Sequence, residues 1–166
     1  MTDAVSPAQI PYFEDEGSRL KPELPIVERN AINAIIFDRA KNQALCLEWP
    51  KFGWKTFVIG GIEGSEDPVE AARREIREET GYKSIKLIGE VGRTRSGYYA
   101  AHKKENRISN TVGLLFELMN AEQDAVKESE TVNHALKWIP RDEVAAFINI
   151  SSQKYIWENA LKMLGQ

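Results

Sequence analysis

Residues 60 to 82 read GGIEGSEDPVEAARREIREETGY, and this stretch decides the fold class of the 166-residue chain. Asp67 stands directly before Pro68, which is the pattern of an N-cap followed by a proline in the first helical position. At the other end, Gly81 can adopt the left-handed conformation that terminates a helix. The stretch therefore predicts a helix from Pro68 to Thr80.

The side chains of this helix divide into an apolar stripe and an acidic side. At about 100° per residue, three side chains lie within about 40° of Ile76 and form the face that should pack on the core. These three are Val69, Ala72 and Thr80. Glu75, Glu78 and Glu79 share another side of the helix. We expect these carboxylates to lie crowded together and open to solvent, where they would attract a cation.

Glutamates alone do not identify a site, because like-charge pairs on a solvated helix cost only about 0.2–0.5 kcal/mol. The spacing is more specific. Gly60 is followed after five residues by Glu66, and after seven more by the run REIREETGY at residues 74 to 82. At ordinary residue frequencies, the seven fixed identities of this pattern coincide by chance on the order of once in 10⁸ positions.

This spacing resembles the sequence box that defines the Nudix hydrolases, and the flanking strand pattern extends the resemblance over residues 27 to 164. The resemblance implies an α/β fold, a Nudix-like α/β/α sandwich with a mixed β-sheet. It also implies an enzyme acting on acid anhydrides. Such a pyrophosphohydrolase cleaves a nucleoside diphosphate linked to another moiety and uses Mg²⁺, or in some members Mn²⁺, as its cofactor.

The resemblance also assigns the metal ligands. Glu78 and Glu79 would bind the cation, and Glu75 would be either a further ligand or the group that orients the attacking water. A main-chain carbonyl of Ile59 or Gly60 would add another oxygen. Such a set suits Mg²⁺, which prefers carboxylate oxygens and substrate phosphates.

Arg74 and Glu66 would support these ligands. By resemblance, Arg74 holds Glu75 in place and Glu66 pairs with Arg74, so that Arg74, Glu75 and Glu78 are the predicted catalytic residues of the box. A zinc site is disfavoured, because zinc prefers histidine and cysteine clusters and the chain has only two histidines and one cysteine. Cys46 lies in the apolar run ALCL and is predicted to be a buried structural thiol.

A catalytic base outside the box is common among relatives. Glu128 and Glu130 precede the last predicted strand and are the candidates, with Glu130 assigned to catalysis and Glu128 to substrate binding. Glu117 is a weaker candidate. For each of them, an ordinary surface carboxylate is the alternative interpretation.

Two segments could bind the rest of the substrate. The segment WPKFGW at residues 49–54 lies before the strand that leads into the box, so Trp54 could stack on a nucleobase; packing in the core is the alternative. The run RTRSGYY at residues 93–99 and HKKENR at residues 102–107 form the most basic part of the chain. Arg93 and Arg95 could bind phosphate, ribose or a nucleic-acid strand there, whereas a solvated loop is the alternative.

The remaining pattern predicts strands around the central helix and helices at the end. We expect strands at residues 29–37, 44–48, 55–59, 85–91, 98–102, 110–118 and 135–139, and helices at 141–147 and 152–164. Strands on both sides of one central helix favour a mixed sheet over a purely parallel one. Residues 1–27 read as a partly ordered, proline-bearing extension, and residues 28–166 as the catalytic domain.

Composition limits the classes of partner. With 42% apolar and 28% charged residues the chain has a globular composition, and its net charge of −3 argues against general polyanion binding. A nucleotide-type small molecule is therefore the favoured substrate, and nucleic acid the less favoured one. We expect no membrane segment and a cytoplasmic location, because the sequence shows no secretory segment or disulfide framework. Relatives are often dimers, which makes a homodimer an open alternative.

Two functional interpretations remain. The first is the Mg²⁺-dependent hydrolase, and the second is a non-catalytic Nudix-fold module that binds nucleotide or RNA. The retention of Arg74 and all three helix glutamates favours the hydrolase. Residues 28–32 and 52–63 also resemble a Nudix subgroup found with leucyl-tRNA synthetases, which would imply a tRNA-related or aminoacyl-adenylate-related partner.

Overall fold

A computed structural model describes residues 9–165 as eight strands, four α-helices and two short 3₁₀ turns. The strands are β1 (Tyr12–Phe13), β2 (Ile26–Asp38), β3 (Gln43–Trp49), β4 (Trp54–Thr56), β5 (Val58–Gly61), β6 (Ile85–Ala100), β7 (Glu105–Leu118) and β8 (Ala135–Pro140). The helices are α1 (Pro68–Thr80), α2 (Glu128–Thr131), α3 (Val144–Phe147) and α4 (Ser151–Met163), and the 3₁₀ turns are Glu16–Ser18 and Arg141–Glu143.

The strands form one mixed sheet in the order β1-β6-β7-β2-β3-β4, to which β5 adds by pairing with β2 and β8 by pairing with β3. β2 runs parallel to β7 over the registered pairs from Ile26–Asn106 to Phe37–Glu117. β1 is also parallel to β6, whereas the other pairs are antiparallel. The predicted mixed sheet is confirmed.

The core has two parts, one on each face of the sheet. Successive side chains of a strand point to opposite faces, and β2 shows this clearly. Ile32 and Ala34 pack in the cluster that contains Ile76 of α1, whereas Ile35 packs in the cluster that contains Trp157 of α4. Helices therefore cover both faces, which confirms the predicted α/β/α sandwich.

The ends of α1 follow the sequence prediction. The Asp67 carboxylate accepts hydrogen bonds from the backbone N–H groups of Val69 and Glu70, at 3.0 and 3.3 Å. Gly81 has a φ of 79° and its N–H donates to the Arg77 carbonyl. This capping fixes where α1 begins and ends, and the packing of Ala72 and Ile76 on the sheet sets the side toward which its glutamates point.

One expected pair of strands is a single strand. Residues 85–91 and 98–102 were expected to be separate strands, but β6 continues from Ile85 to Ala100 and pairs with β7 along most of its length. The register of this pairing shifts between Leu87 and Gly89 and again between Glu90 and Arg93. Such irregularities interrupt the alternation of apolar and polar residues, so the sequence pattern alone predicts two strands here.

The described part of the N-terminal segment, residues 9–25, packs against the sheet. Tyr12 and Phe13 pair with β6, and the side chain of Asn106 donates to the Lys21 and Leu24 carbonyls. Asp15 accepts a hydrogen bond from the N–H of Ser151 at the start of α4. Residues 1–8 of the predicted extension lie outside the described residues, and the division of the chain at residue 28 stays a prediction.

Cys46 is completely buried, and burial raises its pKa to about 12, as expected for a structural thiol. The predicted segment 141–147 divides into a 3₁₀ turn and the short helix α3. Within residues 9–165, we find no helix with the length and apolar character needed to cross a membrane. The cytoplasmic location and the homodimer stay predictions.

Candidate functional site

A cavity of about 380 Å³ opens beside the carboxyl-terminal half of α1. β2 and β5 provide part of its wall, the start of α4 another part, and residues 13–18 of the N-terminal segment a third. The lining includes Phe13, Asp15, Arg29, Asn33, Trp49, Trp54, Ile59, Gly60, Glu75, Glu79, Thr111, Ser152 and Gln153. The cavity therefore brings three of the predicted metal ligands, Gly60, Glu75 and Glu79, together with polar and aromatic side chains from distant parts of the chain.

Arg74 organises the acidic residues of the box. Its Nε and Nη2 donate to the two carboxylate oxygens of Glu66, at 3.1 and 3.0 Å, and its Nη1 donates to Oε1 of Glu75 at 2.8 Å. Nη2 also donates to the Gly61 carbonyl at 3.0 Å. These contacts confirm the predicted pairing of Arg74 with both Glu66 and Glu75, and they tie the loop before α1 to the helix.

Glu79 is buried, with 7% of its surface exposed, so the expectation of an open carboxylate is wrong for this residue. Its Oε2 is buried and accepts no hydrogen bond from any described residue. Burial, followed by the charges of Glu75 and Glu130, raises its pKa to about 9. Without a bound cation, burial therefore favours the protonated form of this carboxyl group.

Glu75 lies one helical turn from Glu79 and also lines the cavity. Burial raises its pKa above the ordinary value, while the hydrogen bond from Arg74 acts in the opposite direction. A Cβ atom at Gly60 would overlap the carboxyl group of Glu75. Only a glycine leaves enough room here for the strand β5 to approach the helix carboxylates.

Glu78 departs from the expected cluster. Its side chain is half exposed, lies 3.5 Å from Nη1 of Arg74 and does not line the cavity. Among residues 9–165, no three acidic, histidine or cysteine side chains are already gathered as metal ligands. The guanidinium of Arg74 explains this arrangement. It attracts the carboxylates of both Glu75 and Glu78 and supplies the positive charge that a bound cation would otherwise provide.

The residues of the box nevertheless fit a hard divalent cation. Oε2 of Glu79 is a buried oxygen without a partner, and the raised pKa of Glu79 shows that the protein alone does not compensate its negative charge. Oxygen ligands of this kind suit Mg²⁺ or Mn²⁺. The Ile59 backbone forms a hydrogen bond with Glu79, so β5 lies directly against the carboxylates, as the predicted carbonyl ligand at Gly60 requires.

Arg29 is a candidate that the sequence reasoning missed. It extends from β2 into the cavity, where one of its guanidinium nitrogens lies against Gly61. It forms no ion pair with any carboxylate among the described residues. An unpaired guanidinium beside the carboxylates is suited to a phosphate group. In the sequence, nothing distinguishes an arginine that lines a cavity from an arginine that is exposed on a strand.

The two tryptophans of residues 49–54 both line the cavity. Trp49 is half-buried, and its Nε1 donates to Oγ1 of Thr56 at 2.9 Å. Trp54 is half-buried as well and stacks on Phe52, with ring centroids 4.5 Å apart. The stacking of a base on Trp54 stays a prediction, but its ring is placed where a base bound in the cavity could contact it.

The predicted residues outside the box separate into two groups. Glu130 is close enough to Glu75 and Glu79 for its charge to raise the pKa of both. Glu128 is exposed on α2, and neither of these two residues lines the cavity. Arg93 and Arg95 are half-exposed, bind Glu90 and Glu28 respectively, and also lie outside the cavity lining. Their roles in substrate binding stay predictions.

The sequence model of the NUDIX domain family matches residues 27–158, which is most of the chain. The chain belongs to the Nudix family. An RNA pyrophosphohydrolase of Bartonella bacilliformis is 57% identical to this Nudix protein over 35 residues, covering 21% of each chain. The match spans about a fifth of the length of that curated relative.

Solved structures of other Nudix proteins share the fold. An Ap4A hydrolase of C. elegans has a TM-score of 0.62 at 18% identity and covers 84% of this chain and 100% of its own. A MutT mutator protein of Bacillus halodurans has a TM-score of 0.56 at 27% identity and covers 80% of this chain and 82% of its own. The expected likeness to modules found with leucyl-tRNA synthetases is not supported by these comparisons.

Proposed function

We propose that this Nudix protein is a metal-dependent pyrophosphohydrolase that cleaves the diphosphate bond of a nucleoside diphosphate linked to another moiety. The observation that carries the proposal is one cavity that joins Glu75 and Glu79 to the unpaired Arg29 and to Trp54. Family membership supports the reaction class. The short match to RNA pyrophosphohydrolases adds a phosphorylated RNA 5′ end to the substrates worth testing.

In this proposal, Glu79 and Glu78 bind Mg²⁺, with Mn²⁺ as a substitute, and Glu75 contributes through the carboxylate oxygen that Arg74 does not occupy. Glu78 would have to turn away from Arg74 to bind the ion, and its exposed side chain leaves it free to do so. When bound, the metal neutralises charge on the phosphates and makes a water molecule more acidic. The Gly60 carbonyl is the proposed main-chain ligand.

The side chains around the ion would bind and orient the substrate. Arg29 donates hydrogen bonds to a phosphate oxygen and stabilises the negative charge that develops on the leaving phosphate. Trp54 stacks on the base. Glu75 has a raised pKa and lies at the cavity wall; if it does not bind the ion, it would orient the attacking water and accept its proton. Arg74 keeps Glu75 in that position, and Glu130 is a second candidate base.

The test is hydrolysis of a substrate panel with Mg²⁺, with Mn²⁺ and with EDTA. The panel comprises ADP-ribose, dinucleoside polyphosphates, NADH, nucleotide sugars, nucleoside triphosphates and 5′-triphosphate RNA. Glu79→Gln and Glu78→Gln should lower kcat by at least about 100-fold, because each removes a charged metal ligand. Glu70→Gln, on the exposed side of the same helix, is the matched control. Arg29→Gln should instead raise KM by roughly tenfold through the lost phosphate contact.

Full activity in either Glu78→Gln or Glu79→Gln would contradict the assignment of the ligands. Turnover of the panel in EDTA would contradict the metal dependence. If no compound is hydrolysed while a nucleotide or RNA still binds, the non-catalytic binding module becomes the better interpretation.

A further inference from the structure

A row of three aromatic rings leads from the cavity to the protein surface. Trp54 lines the cavity, and Phe52 stacks on it with the ring planes only 22° apart. The ring of His102, from the turn between β6 and β7, lies 6.3 Å from that of Phe52. Phe52 is 43% exposed, so part of its ring is open to solvent.

Positive charges surround this row. The ammonium group of Lys51 lies 5.6 Å from the centre of the Phe52 ring. Lys103 and Lys104 are exposed in the same turn as His102. Within the described part of the chain, none of these three lysines forms a salt bridge with a carboxylate. On a chain with a net charge of −3, they form a local concentration of uncompensated positive charge.

We call the surface formed by Lys51, Phe52, His102, Lys103 and Lys104 the aromatic–basic platform. Proteins bind single-stranded nucleic acid by stacking its bases on aromatic rings and by binding its phosphates with nearby cationic side chains. A duplex hides its base faces, whereas an unpaired strand offers a flat base beside every phosphate. The combination of rings and lysines therefore favours an unpaired nucleic-acid strand.

We propose that the aromatic–basic platform binds single-stranded RNA whose 5′-terminal phosphates enter the cavity. The direction of the strand follows from the proposed function, on which this inference rests. A base stacked on Phe52 is one stacking step from Trp54 at the cavity. The end of the nucleic-acid strand that enters the cavity must carry the diphosphate bond. RNA chains start with a 5′-triphosphate, whereas DNA chains do not, so RNA is the occupant with the required chemistry.

The test is fluorescence anisotropy with an eight-nucleotide RNA that carries a 5′-triphosphate and a 3′-fluorescein, in EDTA to prevent hydrolysis. Phe52→Ala should weaken binding by roughly tenfold through the loss of one stacked base, and Phe52→Trp should restore it. Phe52→Leu should not, because leucine is apolar but has no aromatic face. Met119→Ala removes another exposed apolar side chain, 59% exposed, and should change nothing.

Salt dependence tests the lysines separately. The triple variant Lys51→Ala, Lys103→Ala and Lys104→Ala should reduce the slope of log Kd against log salt by about 2, since each phosphate contact to a single strand contributes about 0.7. Lys86→Ala, an exposed lysine near the other end of β6, is the control. The lysine variant should keep the hydrolysis of small nucleotides at the wild-type rate.

The outcomes separate this inference from the proposed function. Unchanged RNA affinity in Phe52→Ala and in the lysine variant would overturn the platform, even if small nucleotides are hydrolysed. Equal affinity for a DNA of the same sequence with a 5′-monophosphate would overturn the assignment to RNA, which rests on the 5′-triphosphate. Equal affinity for a 5′-hydroxyl RNA would overturn the orientation. RNA binding that depends on Phe52, without hydrolysis of any compound, would keep the platform and refute the pyrophosphohydrolase.

Discussion

The buried Glu79 makes the stability of the metal-free protein depend on pH. Its pKa is raised from 4.5 to about 9. Between these values, the native protein keeps a proton on Glu79 that the unfolded chain has released. Because stability falls with pH wherever the native state binds more protons, Glu79 should destabilise the protein progressively as pH rises from about 5 to 9.

The magnitude follows from one proton. A full difference of one bound proton corresponds to about 1.4 kcal/mol for each pH unit, so Glu79 should lower the free energy of unfolding by about 3 kcal/mol between pH 6 and pH 8. Glu79→Gln cannot titrate and should lose this part of the pH dependence. Mg²⁺ should restore stability to the wild type at pH 8 but not to the variant, because the cation replaces the proton.

The assay is urea unfolding at pH 6, 7 and 8 in EDTA, repeated at pH 8 with Mg²⁺. Glu70→Gln removes a carboxylate from the exposed side of α1, so the difference between the two variants isolates the effect of burial. The reasoning is refuted if the wild type and Glu79→Gln lose the same stability between pH 6 and pH 8. It is also refuted if Mg²⁺ stabilises both proteins equally.

Two further predictions concern the elements that position the carboxylates. Gly60→Ala should lower kcat by at least about tenfold with little change in KM, because the added Cβ would displace the carboxyl group of Glu75. Gly17→Ala is the control, since Gly17 has open space around it. Steady-state kinetics measures both variants. Asp67→Ala should lower the free energy of unfolding by about 1 kcal/mol through the loss of the N-cap of α1. Urea unfolding measures this loss, and Asp67→Asn, which retains an acceptor, should recover most of it.

The sequence predicted best what depends on neighbouring residues. The bounds of α1 follow from Asp67, Pro68 and Gly81, which act through local hydrogen bonds and backbone conformation, and the structure places both ends as expected. The pairing of Arg74 with Glu66 and Glu75 was also predicted, because the resemblance fixes their spacing. The mixed sheet followed from the order of strands around one helix.

Features that depend on distant parts of the chain were not predictable in this way. Helical phasing placed Glu79 on the acidic side but could not show that β5 and His134 cover it, and His134 hydrogen-bonds the Glu79 carbonyl from 55 residues away. Arg29 was missed because its importance arises only when β2 pairs with β5 beside α1. The continuity of β6 was hidden by its register shifts.

The short strand β1 protects the long strand β6 from the solvent along part of its outer edge. This protection comes from chain that precedes residue 27, where the match to the family begins. A protein shortened to the family boundary would leave the backbone donors and acceptors of β6 unpaired there, and an unpaired strand edge is a template for self-association. It would also lose Phe13 and Asp15 from the cavity wall. Recombinant versions should therefore retain the N-terminal segment if they are to stay monodisperse and keep their selectivity.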